Sequence, residues 1–528
     1  MYMASATLRR PVAWGYATLS SRGPLGKRSR QPVATTHLPQ VQASDSSPNR
    51  TRSVTHGSSK IRRSPCSRAP VAEDGLRTPP HPPDARPLPP YPRREAEMLS
   101  RRSLLTAAGA SGIGLTAAAC GSSDGGGTAD GPVDMGAEVS ALSGEISVLT
   151  PDFTGDARAG LDDMIDQFME NNPDVSVTVD QVAWDKLNEK LSTSIAGGVV
   201  ADVIMAGVGW TPPFAEKGIF AQLPTDYVEG IGLDEAILTS STFDGSYYSL
   251  PIAMDLRFVV YNKEMFEAKG ITEPPATLEE LAQIANDLTG DGVVGLDLLT
   301  TNIRQAWIHL LYAFGGTLFS EDGMTPTMHE EPGAKATQWI LDLIDSGGVD
   351  YNMQAAEGQP TPFMRGEAAM QLLSTAAWND WSTMMPELTE DGAVGMFLLP
   401  GGDGNDPVMF QGGTTVSVGQ RSQNQDAAAA LVQHFMDPAM LAQGNAALGK
   451  VPPTADIPET PEISENLLTS FALEHLDKAG AAEGGSAAWM EIRGNLQPII
   501  EACLTGQADV ETTLSEMKTL SDDAISRI

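Results

Sequence analysis

Apolar residues along most of this chain return with two alternating periods. Ile146-Ser147-Val148-Leu149 reads as a short buried strand, and Leu161, Met164, Ile165 and Phe168 then recur at helical spacing to form one apolar face. Val175-Ser176-Val177-Thr178-Val179 alternates with the two-residue period of a strand. Leu187, Leu191 and Ile195 mark a second helix, closed by Gly197-Gly198. Asp202-Val203-Ile204-Met205 predicts a third strand that runs into a glycine-bearing loop. Strand–helix–strand alternation of this kind predicts an α/β fold with a mostly parallel sheet covered on both faces.

The same grammar continues downstream. Phe258-Val259-Val260-Tyr261 predicts a strand, and Thr277 with Glu280 forms a capping box ahead of Leu278, Leu281, Ile284 and Leu288. The runs 368–373 and 394–399 predict two more strands. Asp426 is the expected cap of a helix carrying Leu431 and Phe435, and Asp437-Pro438 starts another. The last forty or so residues read as helix, with Leu496, Ile500 and Cys503 on one face. There is no internal repeat.

The first 97 residues follow neither period. They hold 16 Lys/Arg against 6 Asp/Glu, and 15 of the 37 prolines. Without an apolar stripe such a segment has too little surface to bury against its chain entropy. It is expected to be disordered, or to lie upstream of the true start at Met98; a basic arm for an anionic partner is the competing reading. From Met98 the character changes. A charged start with Arg101-Arg102, then Leu104-Leu105 and an uncharged stretch reaching Ala119, makes an export signal that resembles the twin-arginine type. Rich in Gly, Ala and Thr and short of spanning length, the stretch is a poor permanent transmembrane helix. Ala117-Ala118-Ala119-Cys120-Gly121 resembles a lipobox, with Cys120 the expected lipid-attachment residue and residues 98–120 the signal. Residues 121–143 open with a Gly/Ser/Asp-rich run and are expected to form a flexible tether.

Charge then narrows the partners. After Cys120 the body carries 16 Lys/Arg and 62 Asp/Glu, a formal charge near −46. A surface of that sign repels nucleic acid and anionic lipid. Only Cys503 remains in the body, so no intramolecular disulfide is available and burial must stabilise the fold.

Three segments in order carry a resemblance. They are Tyr248-Ser249-Leu250-Pro251-Ile252-Ala253-Met254-Asp255 with Val259-Val260-Tyr261-Asn262-Lys263; Pro274-Pro275-Ala276-Thr277-Leu278-Glu279-Glu280-Leu281; and Phe363-Met364-Arg365-Gly366-Glu367-Ala368-Ala369-Met370. Together they resemble the bacterial extracellular solute-binding proteins of the maltose-binding-protein-like family. That resemblance implies a two-lobed periplasmic-binding-protein (Venus flytrap) fold, type II, whose α/β lobes are joined by a hinge and close on a ligand. The implied division gives 144–254 and 402–450 to lobe 1, and 255–401 and 451–528 to lobe 2.

The resemblance also implies a sugar ligand and an ABC permease as partner, with a monomeric receptor that is not an enzyme. Sugars present flat C–H faces to aromatic rings and many hydroxyls to carboxylates and amides. Asp255, six residues before Tyr261, takes the place of an acidic ligand contact, a turn-capping role being the alternative. Trp210, in the loop after the third strand, is expected to stack on the ligand or else to pack in the core. Trp378, with Trp381 as rival, falls about two residues later than the family's stacking tryptophan. Trp489 is the expected late aromatic contact. Asp152 and Phe153 match a contact loop, Asn302 and Arg304 match contacts in the second lobe, and Gly412-Gly413 either offer backbone donors at the cleft floor or form a bend. Trp184, Trp307 and Trp339 stand on predicted helices, where core packing is expected.

Other chemistry is not signalled. The body's four histidines, His309, His329, His434 and His475, show no metal-binding spacing, and no nucleophile elbow, phosphate loop or dinucleotide fingerprint occurs, so no cofactor and no metal are expected. Asp287, Thr289, Asp291 and Gly292 begin like a calcium loop, but the twelfth position is Leu298, which leaves a helix-to-strand turn. Two alternatives stay open: the same fold binding a polyamine or peptide, and an anchored glycoside hydrolase with two carboxylates about 5–10 Å apart.

Overall fold

The computed structural model describes residues 131–136 and 142–528, except 199, 299–301, 354, 357 and 391. The expected disordered extension, the export signal and Cys120 lie outside the described residues.

The predicted strands and helices form where the periodicity placed them. Strands Gly144–Pro151, Val175–Val182 and Val203–Gly207 pair in parallel, with helices Gly155–Asn171 and Trp184–Gly197 as their connections. All five residues of Val203–Gly207 are buried, as a strand covered on both faces requires, whereas the edge strand Val175–Val182 alternates between buried or half-buried and exposed positions along its first six residues. Thr277 caps the helix Leu278–Leu288 through its hydroxyl, and Asp437 caps Pro438–Leu448. Asp426 does not cap: Asn424 is the N-cap of Gln425–Phe435, without a side-chain bond, and Asp426 lies in the first turn, where its charge suits the helix dipole. The calcium-like stretch is a turn between Leu288 and the strand Val294–Asp297, with Asp291 at φ 53°.

The sheet is mixed, not mostly parallel. Its order runs Val175–Val182, Gly144–Pro151, Val203–Gly207, Phe410–Val418, Leu250–Asn262, Ala368–Ser374, Val294–Asp297, with Val394–Phe397 also on Leu250–Asn262 and Ala481–Ala482 on Phe410–Val418. The departure has one cause. Two long strands, Leu250–Asn262 and Phe410–Val418, lie antiparallel to each other between the two parallel groups and run antiparallel to Val203–Gly207, Ala368–Ser374 and Val394–Phe397; only the short Ala481–Ala482 joins Phe410–Val418 in parallel.

Those two strands also join two separate cores. One core gathers Ile146, Val148, Ile165, Phe168, Met205, Leu250, Ile252, Val416 and Phe435. The other gathers Val259, Leu281, Trp307, Ile340, Leu372, Phe410, Leu496 and Ile500. Strand Leu250–Asn262 feeds the first with Leu250 and the second with Val259; Met254, Leu256 and Phe258 enter a third cluster at the junction. The chain passes the junction a third time at Val451, which exchanges backbone hydrogen bonds of 2.8 and 3.0 Å with Met254. Phe410 packs in the second core and Val416 in the first, so this strand passes from one core to the other along its length. Gly413 lets the strands approach there: its φ is +120°, and a Cβ would stand 2.2 Å from the Ala253 carbonyl oxygen.

The expected tether is shorter than 121–143. Val133 and Met135 are 5% and 2% exposed within the first core, and the Val133 amide donates to the Gln222 carbonyl at 2.9 Å. Burying two such side chains contributes about 1.5–3 kcal/mol each against the entropy lost in ordering the strap.

Candidate functional site

Three loops at the carboxyl ends of the parallel strands meet over the two crossing strands. Asp152 and Phe153 follow the first strand, Trp184 opens the helix after the second, and Val208 and Trp210 follow the third. Ligands gather at this edge of an open α/β sheet because the loops, not the strands, are free to diverge there. The other half supplies Gln305, Asn379, Glu483 and Arg493, and the crossing segments supply Asp255, Phe410–Thr414 and Lys450. Between them lies a cavity of about 480 Å³, within the size range of small-molecule sites.

One wall is aromatic. Trp184 and Trp210 meet edge to face at 6.2 Å, and Phe214 backs Trp210 at 6.0 Å. The Arg493 guanidinium lies over the Trp210 ring at 5.8 Å, a cation–π contact. Trp210 is thereby left 3% exposed, while Trp184 is 43% exposed and offers the open ring.

Two carboxylates are fixed by pairs of cations. Glu483 Oε1 accepts from Arg304 Nε and Nη2 at 3.1 and 2.7 Å, and Oε2 accepts from Arg493 Nε at 2.9 Å. Burial on its own would raise the Glu483 pKa, but Arg304 and Arg493 outweigh it and hold the carboxyl below its ordinary value. Asp255 Oδ2 stands 3.5 Å from Lys450 Nζ and 3.6 Å from Arg257 Nη2, and Oδ1 accepts from the Ser374 hydroxyl. There too burial pushes the pKa up, and Lys450, Arg257 and Ser374 together bring it below the usual carboxylate range. Both groups therefore stay ionised and pre-oriented, which suits acceptance of ligand hydrogen bonds.

Of the residues singled out from sequence, Asp152, Phe153, Trp210, Asp255, Gly412 and Gly413 line the cavity. Gly412 and Gly413 are in strand register opposite Asp255 and Met254, and the Gly413 carbonyl accepts from Val208 N at 3.1 Å, so their place is a ladder with close backbone approach, not an open bend. Four expected contacts fall elsewhere. Trp489 is fully buried, edge to face with Phe319 at 6.2 Å; Arg493, one turn later, reaches the cavity instead. Trp378 packs in the junction cluster, and Trp381 is buried against Phe363; the two-residue offset from the family pattern is about 200° of helix rotation, and Asn379 takes the cavity position. Asn302 is exposed, and its side chain caps the helix Ile303–Ala313. Arg304 lies behind the cavity, holding Glu483.

Gln305, Asn379, Lys450, Glu483 and Arg493 line the cavity without a sequence signal, and Trp184 lines it where core packing is expected from sequence. Trp184 carried a signal: it begins the helix after a parallel strand, at the ligand-bearing edge, although core packing was expected of it. The others sit on segments whose spacing holds no chemical pattern. Among the described residues no group of His, Cys, Asp and Glu side chains suits a metal ion, and no helix is long and apolar enough to cross a membrane.

The sequence model of the bacterial extracellular solute-binding proteins matches residues 154–454, which contain both crossing strands and most of the cavity lining. This chain belongs to that family. A putative binding protein of Brucella abortus is 26% identical over 302 residues, 55% of this chain and 71% of its own length. The diacetylchitobiose-binding protein DasA of Streptomyces coelicolor is 27% identical over 387 residues, covering 71% of this chain and 86% of its own. The solved cyclic alpha-maltosyl-1,6-maltose-binding protein of Arthrobacter globiformis superposes on 73% of this chain and 100% of its own, with a TM-score of 0.62 at 22% identity. As a solute-binding protein of this fold the chain is two-lobed, and the cavity lies where its two cores face each other across the crossing strands.

Proposed function

We propose that this solute-binding protein captures a mono- or oligosaccharide between its lobes and delivers it, unaltered, to the permease of an ABC importer. The observation that carries this reading is the cavity's composition: an exposed tryptophan face at Trp184 beside fixed carboxylates at Asp255 and Glu483 and the amides of Gln305 and Asn379. A pyranose has the complementary surface, one apolar face and a rim of hydroxyls. Domain closure would complete the enclosure, because a ligand that touches both halves favours the closed form by its differential affinity. The lobes meet at the crossings near Asp255, Gly412 and Val451.

Hydrolysis is not favoured by this site. A glycosidase needs one carboxyl held protonated by a raised pKa, whereas burial at Asp255 and Glu483 is outweighed by neighbouring cations that lower both. A polyamine is also disfavoured, since Lys450 and Arg493 would meet it with like charge. Cys120, outside the described residues, is the proposed lipid attachment point on the outer face of the cell membrane, after twin-arginine-type export.

Titration calorimetry of the chain from Cys120 onward, against a panel of oligosaccharides, tests the reading. Saturable binding with the sugar recovered intact is expected, and Trp184→Ala should weaken it about tenfold, the worth of an aromatic contact of about 1.5 kcal/mol. Turnover of any bound sugar, or no binding across the panel, would overturn it. Replacing Cys120 by Ser should abolish incorporation of labelled fatty acid in cells.

A further inference from the structure

The cleft holds an unusual share of a scarce charge. Only 16 Lys/Arg serve the body after Cys120, against 62 Asp/Glu, yet Arg257, Arg304, Lys450 and Arg493 all converge on this one cavity or its immediate backing. Each carboxylate there holds two cations, Glu483 with Arg304 and Arg493, Asp255 with Arg257 and Lys450, so each cluster keeps one positive charge uncompensated. Holding either carboxylate in place requires only one partner.

The hydrogen bonding is incomplete in the same sense. Arg257 Nε and Nη1 are buried without a partner, while its Nη2 lies 3.6 Å from Asp255 and its guanidinium 5.3 Å from the Phe410 ring. Buried donors left unpaired are rare and costly. Lys450 approaches Asp255 only to 3.5 Å, and Arg493 gives Glu483 just its Nε. Asp152, the other acid on the lining, is exposed, so water screens it more than the cations at the floor. A neutral hydroxyl would accept from Lys450 or Arg493 and leave both excess charges standing in a partly desolvated site. A carboxylate would accept and at the same time neutralise one of the two.

We infer that the solute is an acidic sugar, a hexuronic acid or an oligosaccharide containing one, whose carboxylate sits against Lys450 and Arg493. This rests on the saccharide reading above and narrows it. Elsewhere the strongly acidic surface repels anions, so the cleft is the place where such a solute is drawn in and retained.

Calorimetry with matched pairs tests it: glucuronic and galacturonic acids and their disaccharides, each beside its neutral hexose counterpart. The acidic member is expected to bind at least about tenfold tighter, because charge-assisted bonds are roughly twice as strong as neutral ones. Added salt should narrow the gap, and Lys450→Met should remove most of it. A neutral member that binds as tightly as its acid, or a preference that Lys450→Met and Arg493→Met both leave intact, overturns this inference while the saccharide reading stands. Failure of every pair to bind overturns both.

Discussion

Replacing Glu483 by Gln strands a charge that the fold has taken out of water. Arg304 is 7% exposed and spends Nε and Nη2 on the single oxygen Glu483 Oε1, whereas Arg493 is 31% exposed and retains water as a partner. The loss therefore falls mainly on Arg304. Breaking a buried pair by removing one partner costs about 3–5 kcal/mol, mostly as the penalty of the uncompensated ion. With a urea slope of about 3 kcal/mol/M, the unfolding midpoint should fall by roughly 1–1.7 M. Coincident circular dichroism and tryptophan fluorescence transitions provide the assay. Adding Arg304→Met to the variant removes the stranded ion and should recover part of the loss, since an apolar replacement for a buried pair is often neutral. A single variant within about 1 kcal/mol of the parent, or a double variant no better than the single, would refute the reasoning.

Three further outcomes follow from the same geometry. Trp184→Ala should weaken saccharide binding about tenfold by calorimetry, while Trp378→Ala, off the cavity, should leave affinity within about twofold. Gly413→Ala must place a Cβ 2.2 Å from the Ala253 carbonyl at a φ of +120°, and a loss of at least about 2 kcal/mol in urea unfolding is expected. Burial lowers the His309 pKa from 6.5 to about 4, so the unfolded chain binds the extra proton first as pH falls. Stability present above pH 6.5 should decline by about 3 kcal/mol down to pH 4, and thermal midpoints of His309→Gln should lack that slope.

Much of this fold was legible because periodicity reports burial directly. The strands at 146–149, 175–179 and 202–205, and the capping box at Thr277, are local statements about local structure, and they hold. The sheet's mixed direction was not legible: it depends on Phe410–Val418 lying beside Leu250–Asn262, a pairing across some 150 residues. The site divides along the same line. Trp210 follows a strand whose position was already clear, and Asp255 lies just before the predicted strand at 258–261, inside the observed Leu250–Asn262; both reach the cavity. Trp378 and Trp489 stand on helices, where an offset of one or two residues swings a side chain through 100–200° and into a core. Glu483 and Lys450 are joined to partners far away in sequence, Arg304 and Asp255, so no local pattern marked them. The strap at Val133 and Met135 was hidden by the Gly/Ser/Asp-rich composition that precedes it.

Small-angle X-ray scattering of the chain from Cys120 onward, with and without a saturating saccharide identified by calorimetry, tests hinged capture most directly. The account predicts a smaller radius of gyration when the cavity between Trp184 and Asp255 is filled, as the two cores swing together about the crossing strands. A radius unchanged at full saturation would contradict it.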